Sequence, residues 1–239
     1  MDQLLVALDL ENGPAALTMA EALRGVAGGF KVGSRLFTSE GPDIVRTLAR
    51  DGRRVFLDLK FHDIPNTVAT AVSAATSLGV WMVNVHASGG ARMMHAARDA
   101  ARETAERERR QAPLVIAVTV LTSMNAGMLA ETGVQTPVVE QVLRLSELAQ
   151  AAGLDGVVAS PQETALIRQR CGPDFAIVTP GIRGGAATTS GKDDQERTLG
   201  PAEAIAAGAS YIVVGRPIIA APNARKAALE IARALEPTS

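Results

Sequence analysis

The chain has 239 residues, 47% of them hydrophobic but only 3% aromatic, and its 24 Lys plus Arg against 25 Asp plus Glu leave a net charge of −1. Near-neutrality gives no broad field to draw in nucleic acid or an anionic membrane, so neither is an expected partner, and an anionic ligand must be gripped locally. One cysteine, Cys171, excludes an internal disulfide framework, no apolar run approaches membrane-spanning length, and the opening "MDQLLVALDLENG" lacks the basic start and long apolar centre of a signal peptide; a soluble, cytoplasmic protein is expected.

Strand-length apolar runs recur along the chain: "QLLVALD" (3–9), "GFKVG" (29–33), "RVFLDLK" (54–60), "VWMVNVHA" (80–87), "PLVIAVTVL" (113–121), "LDGVVAS" (154–160), "FAIVTPG" (175–181) and "SYIVVGR" (210–216). Between them lie Ala- and Leu-rich stretches with helical spacing, such as "PDIVRTLARDG" and "PVVEQVLRLSELAQAAG", the second closing on Gly153 as helices often do. An aliphatic core of this kind suits helices packed on parallel strands. Eight strand–helix units without a Pro- or Ser-rich linker predict a single-domain (β/α)8 TIM barrel over residues 1–239, with a doubly wound open sheet as the alternative. Two segments stand apart. "RETAERERRQ" (102–111) reads as the solvated face of a helix. "RGGAATTSGKDDQER" (183–197) has no periodicity and reads as a flexible loop, either a lid or a disordered connector.

The third run ends in an unusual concentration of charge, "VFLDLKFHDIPNTV" (55–68). Alternation puts Val55, Leu57 and Leu59 on the face toward the helices and Phe56, Asp58 and Lys60 on the face toward the barrel axis, at the strand end where barrel enzymes hold their catalytic groups. Asp63 follows in the loop, Asp9 finishes the first run, Lys31 sits between Phe30 and Val32 in the second, and His86 follows "VNV" in the fourth. Burying isolated charges is costly, so Lys31, Asp58, Lys60 and Asp63 are expected to form an alternating array of opposite sign. A structural ion-pair network closing the barrel top is the competing account; the number of converging groups favours an active site. His62 and His86 are weaker candidates, lysines amid the cluster lower the case for a bound metal, and Cys171 reads as structural.

A second constellation is "IVVGRP", which sets Gly215 and Arg216 at the end of the eighth run, where this fold habitually binds phosphate. Glycine lets backbone N–H groups approach an anion, and arginine offers a two-pronged donor. Arg183, in "TPGIR", opens the 183–197 segment and Gln195 lies near its far end, which suits a loop folding over the same phosphate.

Taken together, "DLKFHDIPNT" (58–67), "LTS" (121–123), "TPGIR" (179–183), Gln195 and "VGRP" (214–217) resemble the bacterial orotidine 5'-phosphate decarboxylases, from Asp9 to about residue 220. The resemblance implies that Asp9 and Lys31 hold the ribose end, that Asp58, Lys60 and Asp63 form the charged catalytic array with Lys31, and that Thr67 and Thr122 touch the ligand. It makes Arg183, Gln195, Gly215 and Arg216 the phosphate grip. It also implies a homodimer whose sites are shared, the Asp63–Thr67 loop of each subunit reaching into its neighbour, and a reaction without cofactor or metal. A magnesium-dependent sibling, the 3-keto-gulonate 6-phosphate decarboxylases, shares the Asp-x-Lys-x-x-Asp strand and is set apart by "FHDIPNT". An aldolase with Lys60 as Schiff-base nucleophile is disfavoured because neighbouring carboxylates keep the amine protonated, and a non-catalytic phosphometabolite sensor is disfavoured by the intact charged array.

Overall fold

Alternation along each strand divides the apolar residues between two destinations, and a closed ring is the arrangement that satisfies both. The computed structural model describes residues 2–182 and 199–235. The chain runs through β1 (Leu4–Ala7), α1 (Gly13–Ala22), β2 (Gly29–Gly33), α2 (Ser34–Glu40), α3 (Asp43–Arg50), β3 (Val55–Phe61), α4 (Pro65–Ser77), β4 (Met82–His86) and α5 (Gly90–Arg107). It continues through β5 (Leu114–Val118), α6 (Ala126–Glu131), α7 (Val138–Ala151), β6 (Gly156–Val158), α8 (Thr164–Cys171), β7 (Ala176–Thr179), α9 (Pro201–Ala206), β8 (Tyr211–Val214), α10 (Arg216–Ile219) and α11 (Ala224–Ala234). The eight strands are parallel and pair in sequence order, and β8 returns to β1 with Val213 opposite Leu5, closing the barrel. The predicted (β/α)8 TIM barrel is therefore the fold, and the open sheet is excluded.

Outward-facing Leu4, Val6, Val32, Val55, Leu57, Val83 and Val85 join the helices in the larger core. Inward-facing Leu5, Ala7, Phe56, Met82, Ile116, Val178 and Val213 fill the barrel interior. At the strand N-termini, the rings of Trp81 and Tyr211 meet edge to face with centroids 5.1 Å apart, and the Arg54 guanidinium lies 5.4 Å from the Trp81 ring. The Arg168 side chain, from α8, donates to the carbonyl oxygens of Gly172, Pro173, Phe175 and Gly208 and to Ser210 Oγ, tying the entrances of β7 and β8 together.

Local chemistry sets the helix ends. Asn12, Asn125 and Asn223 cap α1, α6 and α11 through their side-chain oxygens. Pro65 opens α4, where a missing N–H costs nothing. Gly153 follows α7 at φ +71°, the left-handed exit expected there.

Most strands are shorter than the apolar runs, as with 113–121 against Leu114–Val118, because the last residues of a run leave the ladder to become the loops of the mouth. The connection after β2 carries two helices, and the charged helix of 102–111 ends at Arg107, with Thr104 and Ala105 buried beneath exposed charges. Cys171 is buried at the end of α8, and burial pushes its thiol pKa up, as suits a structural residue. Among the described residues, no helix is long and apolar enough to cross a membrane.

Candidate active site

The inward positions nearest the C-terminal ends of β1 to β4 are polar, and they meet. The Lys31 side chain is 12% exposed, and its Nζ lies 3.4 Å from Asp9 Oδ1 and 3.3 Å from Asp58 Oδ2. Lys60 Nζ lies 2.7 Å from Asp58 Oδ1. The result is a line of alternating charge, Asp9–Lys31–Asp58–Lys60, in which Asp58 is shared by two ammonium groups. Burial would raise the Asp58 pKa, but Lys31, Lys60 and hydrogen bonds from Lys60 and Asn84 outweigh it, so the carboxyl lies below its ordinary value. Asp58 is a fixed anion at neutral pH.

Lys60 departs from the plain alternation of its strand. The pairing of β3 with β4 shifts between Leu57 and Phe61, and Lys60 adopts φ +53°, a left-handed conformation costing a non-glycine residue about 1–2 kcal/mol. Its peptide N–H finds the side chain of Asn84, donating to Oδ1 at 2.8 Å, while Asn84 Nδ2 donates to Asp58 Oδ1 at 2.7 Å. Asn84 is fully buried. Sequence reasoning missed it, although a lone asparagine between Met82 and His86, on the inward parity of an apolar strand, was a usable signal.

Gly33 is a second omission. A Cβ there would come within 2.9 Å of Lys31 Nζ and 3.3 Å of Asp9 Oδ1, so the absence of a side chain leaves room for that ion pair. His86, also inward on β4, faces His62 with ring centroids 5.4 Å apart. Burial first, then the charges of His62 and Lys60, lower the His86 pKa against the opposing pull of Asp58.

Asp63 stands outside this line within its own chain. It is exposed, and its Oδ1 accepts a hydrogen bond from Ile64 N at 2.6 Å. Thr67 is exposed on the first turn of α4, and Thr122 is half-buried in the connection between β5 and α6. Gly215 caps α10, and a Cβ built on it would lie 3.5 Å from Ala7 Cβ and 3.9 Å from Asp9 Oδ2, which sets the β8 turn beside the charged line. Arg216 is exposed at the start of α10. Arg183, Gln195 and the whole of the 183–197 segment lie outside the described residues.

This arrangement can do two things. A protonated amine pinned between an anion and the open mouth can stabilise negative charge developing on a ligand, and it can then surrender its proton. A glycine–arginine turn on the neighbouring strand end can hold an anionic group at a distance from that amine.

Comparison with known proteins agrees with this architecture. The chain is 53% identical over 238 residues to the orotidine 5'-phosphate decarboxylase of Syntrophotalea carbinolica, covering 98% of this chain and 96% of that protein. It is 52% identical over 236 residues to that of Moorella thermoacetica, covering 98% and 92%. Among solved structures, the orotidine 5'-phosphate decarboxylase of Lactobacillus acidophilus superposes with a TM-score of 0.87 at 36% identity, over 98% of this chain and 99% of that one. The sequence profile of one family spans residues 2–231, nearly the whole barrel and every strand that contributes to the charged line: the chain belongs to the orotidine 5'-phosphate decarboxylase / HUMPS family.

Proposed function

We propose that the protein decarboxylates orotidine 5'-monophosphate to uridine 5'-monophosphate, the last step of de novo pyrimidine nucleotide synthesis. The observation that carries this reading is the line Asp9–Lys31–Asp58–Lys60 at the barrel mouth, in a chain about half identical to named decarboxylases over nearly its full length. The bond between ring carbon 6 and the carboxylate breaks, carbon dioxide leaves, and the electron pair remains on carbon 6. Lys60 stabilises that pair as a fixed positive charge and then gives it a proton, forming the C–H bond of the product; solvent reprotonates the amine. Asp58 holds Lys60 and Lys31 in place, and Asp9 and Lys31 take the ribose.

Binding energy at the phosphate completes the scheme. Gly215 and Arg216, with Arg183 and Gln195 from the 183–197 loop, grip the phosphate, and Thr67 and Thr122 contact the ligand. Closure of that loop spends remote binding energy on ordering the charged groups and excluding water. Positive charge comes from lysines in this scheme; among the described residues no three His, Cys, Asp or Glu side chains are grouped to hold a metal ion.

The functional unit in this reading is a cytoplasmic homodimer with shared sites. Asp63 lies apart from its own chain's line, beside Ile64, which is 66% exposed, and ahead of Pro65, which stiffens the approach to α4. Those features suit a loop that delivers Asp63 and Thr67 to a neighbouring barrel. The direct test of the activity follows the ultraviolet absorbance of orotidine 5'-monophosphate with purified protein. Steady conversion to uridine 5'-monophosphate is expected, and no change in absorbance at micromolar enzyme would overturn the reading.

A further inference from the structure

We propose that Asn84 is the positioning residue of the catalytic lysine: its buried amide joins the Lys60 peptide to the Asp58 carboxylate and thereby fixes where the ammonium group stands. The proposal rests on the decarboxylase reading for its consequence in catalysis, and on geometry alone for its structural content.

The geometry has three parts. First, a parallel ladder would give Lys60 N–H a carbonyl partner from β4, but the pairing is interrupted between Leu57 and Phe61, and the N–H donates to Asn84 Oδ1 instead at 2.8 Å. Without that acceptor the half-buried N–H would lose its partner within the protein, and folded chains seldom leave such a group unpaired. Second, Lys60 has φ +53°, which a residue with a side chain adopts only when its surroundings hold it there. Third, the other end of the same amide donates to Asp58 Oδ1 at 2.7 Å, the oxygen that also receives Lys60 Nζ at 2.7 Å. The backbone and the ammonium of one lysine are thus referred to a single rigid side chain, fully buried on the neighbouring strand.

The amide also fits this task better than other groups would. An acid at this position would confront Asp58, and a hydroxyl would be too short to span both partners. A planar amide, with an acceptor and a donor on the same carbon, meets an N–H and a carboxylate at once. The surrounding charged and titratable groups are Lys31 from β2, Asp58 and Lys60 from β3, and His86 further along β4; Asn84 is the uncharged member that couples them.

The test compares the parent enzyme with Asn84→Leu, which keeps the branching at Cγ and removes both hydrogen bonds, and with Asn84→Asp, which keeps the acceptor for Lys60 N–H and replaces the donor to Asp58. Displacement of a reacting group by about 1 Å costs about a hundredfold in rate. For Asn84→Leu, kcat is therefore expected to fall about a hundredfold while the dissociation constant of uridine 5'-monophosphate, held by its phosphate and ribose, stays within about threefold of the parent. A merely structural asparagine predicts the reverse, a lowered Tm with kcat preserved in the folded fraction. If Asn84→Leu does not fold, Asn84→Asp carries the test, with the same loss of kcat expected at pH 8. A folded variant of either kind with kcat within threefold of the parent overturns the proposal. A crystal structure of the variant decides the geometric claim separately. In Asn84→Leu, Lys60 is expected to leave positive φ and its ammonium to leave Asp58, and retention of both features overturns the proposal. Should the parent itself fail to decarboxylate orotidine 5'-monophosphate, the functional reading falls while the crystallographic comparison still decides whether Asn84 positions Lys60.

Discussion

Asp58→Asn removes the one carboxylate that two lysines share, and its cost follows from the distances. Lys60 Nζ lies 2.7 Å and Lys31 Nζ 3.3 Å from the Asp58 oxygens. At an effective dielectric constant of about 20, the two contacts amount to roughly 6 and 5 kcal/mol of gross Coulomb attraction. Desolvation of each ion offsets several kcal/mol of this, and Lys31 retains Asp9, so the net loss should lie near the lower end of the range for breaking a buried pair, about 3 kcal/mol. In a chain of this size that corresponds to a fall in Tm of about 6–12 °C. The new amide also turns an NH2 group toward either the Lys31 ammonium or the Asn84 donor, so the substitution does not relax into an equivalent bond.

The pH dependence has a definite sign. Because the Asp58 carboxyl is held below its ordinary pKa in the native state, its stabilisation is fully present above about pH 4 and is lost as pH falls through the native value. The Tm gap between parent and variant should therefore be widest at neutral pH and close on acidification. Differential scanning calorimetry from pH 3 to 8 measures it, alongside kcat at neutral pH, which should collapse. A gap below about 2 °C at pH 7.5, or one that fails to narrow toward pH 3, would refute the assignment of Asp58 as the organising anion.

Lys60→Ala should abolish turnover while the affinity for uridine 5'-monophosphate largely survives, since the proton donor is lost but the phosphate grip is not; near-normal turnover would sink the mechanism. Arg216→Ala should lower kcat/KM by weakening the phosphate contact that drives closure, and an unchanged ratio would place the phosphate elsewhere. Activity should persist after exhaustive chelation, and loss restored by magnesium would favour the metal-dependent branch of the family. Mixing inactive Lys60→Ala with inactive Asp63→Ala under subunit exchange should restore roughly a quarter of parental activity, because about half the dimers are mixed and each has one complete site; a mixture that stays inactive would put both residues in one chain's site.

Period-two alternation made the barrel and half of the charged line legible in the sequence, because a barrel strand has two faces with opposite needs. Lys31 and Asp58 could be assigned inward from Phe30, Val32, Leu57 and Phe56 alone, and both point there. The same logic cannot describe Lys60, whose conformation depends on a side chain from another strand that replaces a ladder bond. Inward parity marked Asn84 as unusual, but its role was hidden, since that lies in two partners that are 24 and 26 positions away and become neighbours only when β3 and β4 pair. Gly33 read as a strand end, yet its role is the space it leaves, which no residue type announces. Run lengths overstated the strands because apolar residues continue past the regular ladder into the mouth, where Leu8, Thr119 and Ala159 each still donate a backbone hydrogen bond to the neighbouring strand before the chain turns into its loop.

The aromatic floor of the barrel has a practical consequence. The chain contains one tryptophan and one tyrosine, and the two are in edge-to-face contact with each other. Trp81 precedes β4 and Tyr211 opens β8, strands on opposite sides of an eight-membered ring, so their 5.1 Å contact bridges the floor and exists only when the ring has closed. Intrinsic emission excited in the near ultraviolet therefore arises at the end of the molecule remote from the charged mouth. It reports the joining of the first and second halves of the chain, and substitutions at Asp58, Lys60 or Asn84 leave the emitting pair untouched. A variant that has lost its chemistry can thus be told by its optical signature from one that has lost its barrel.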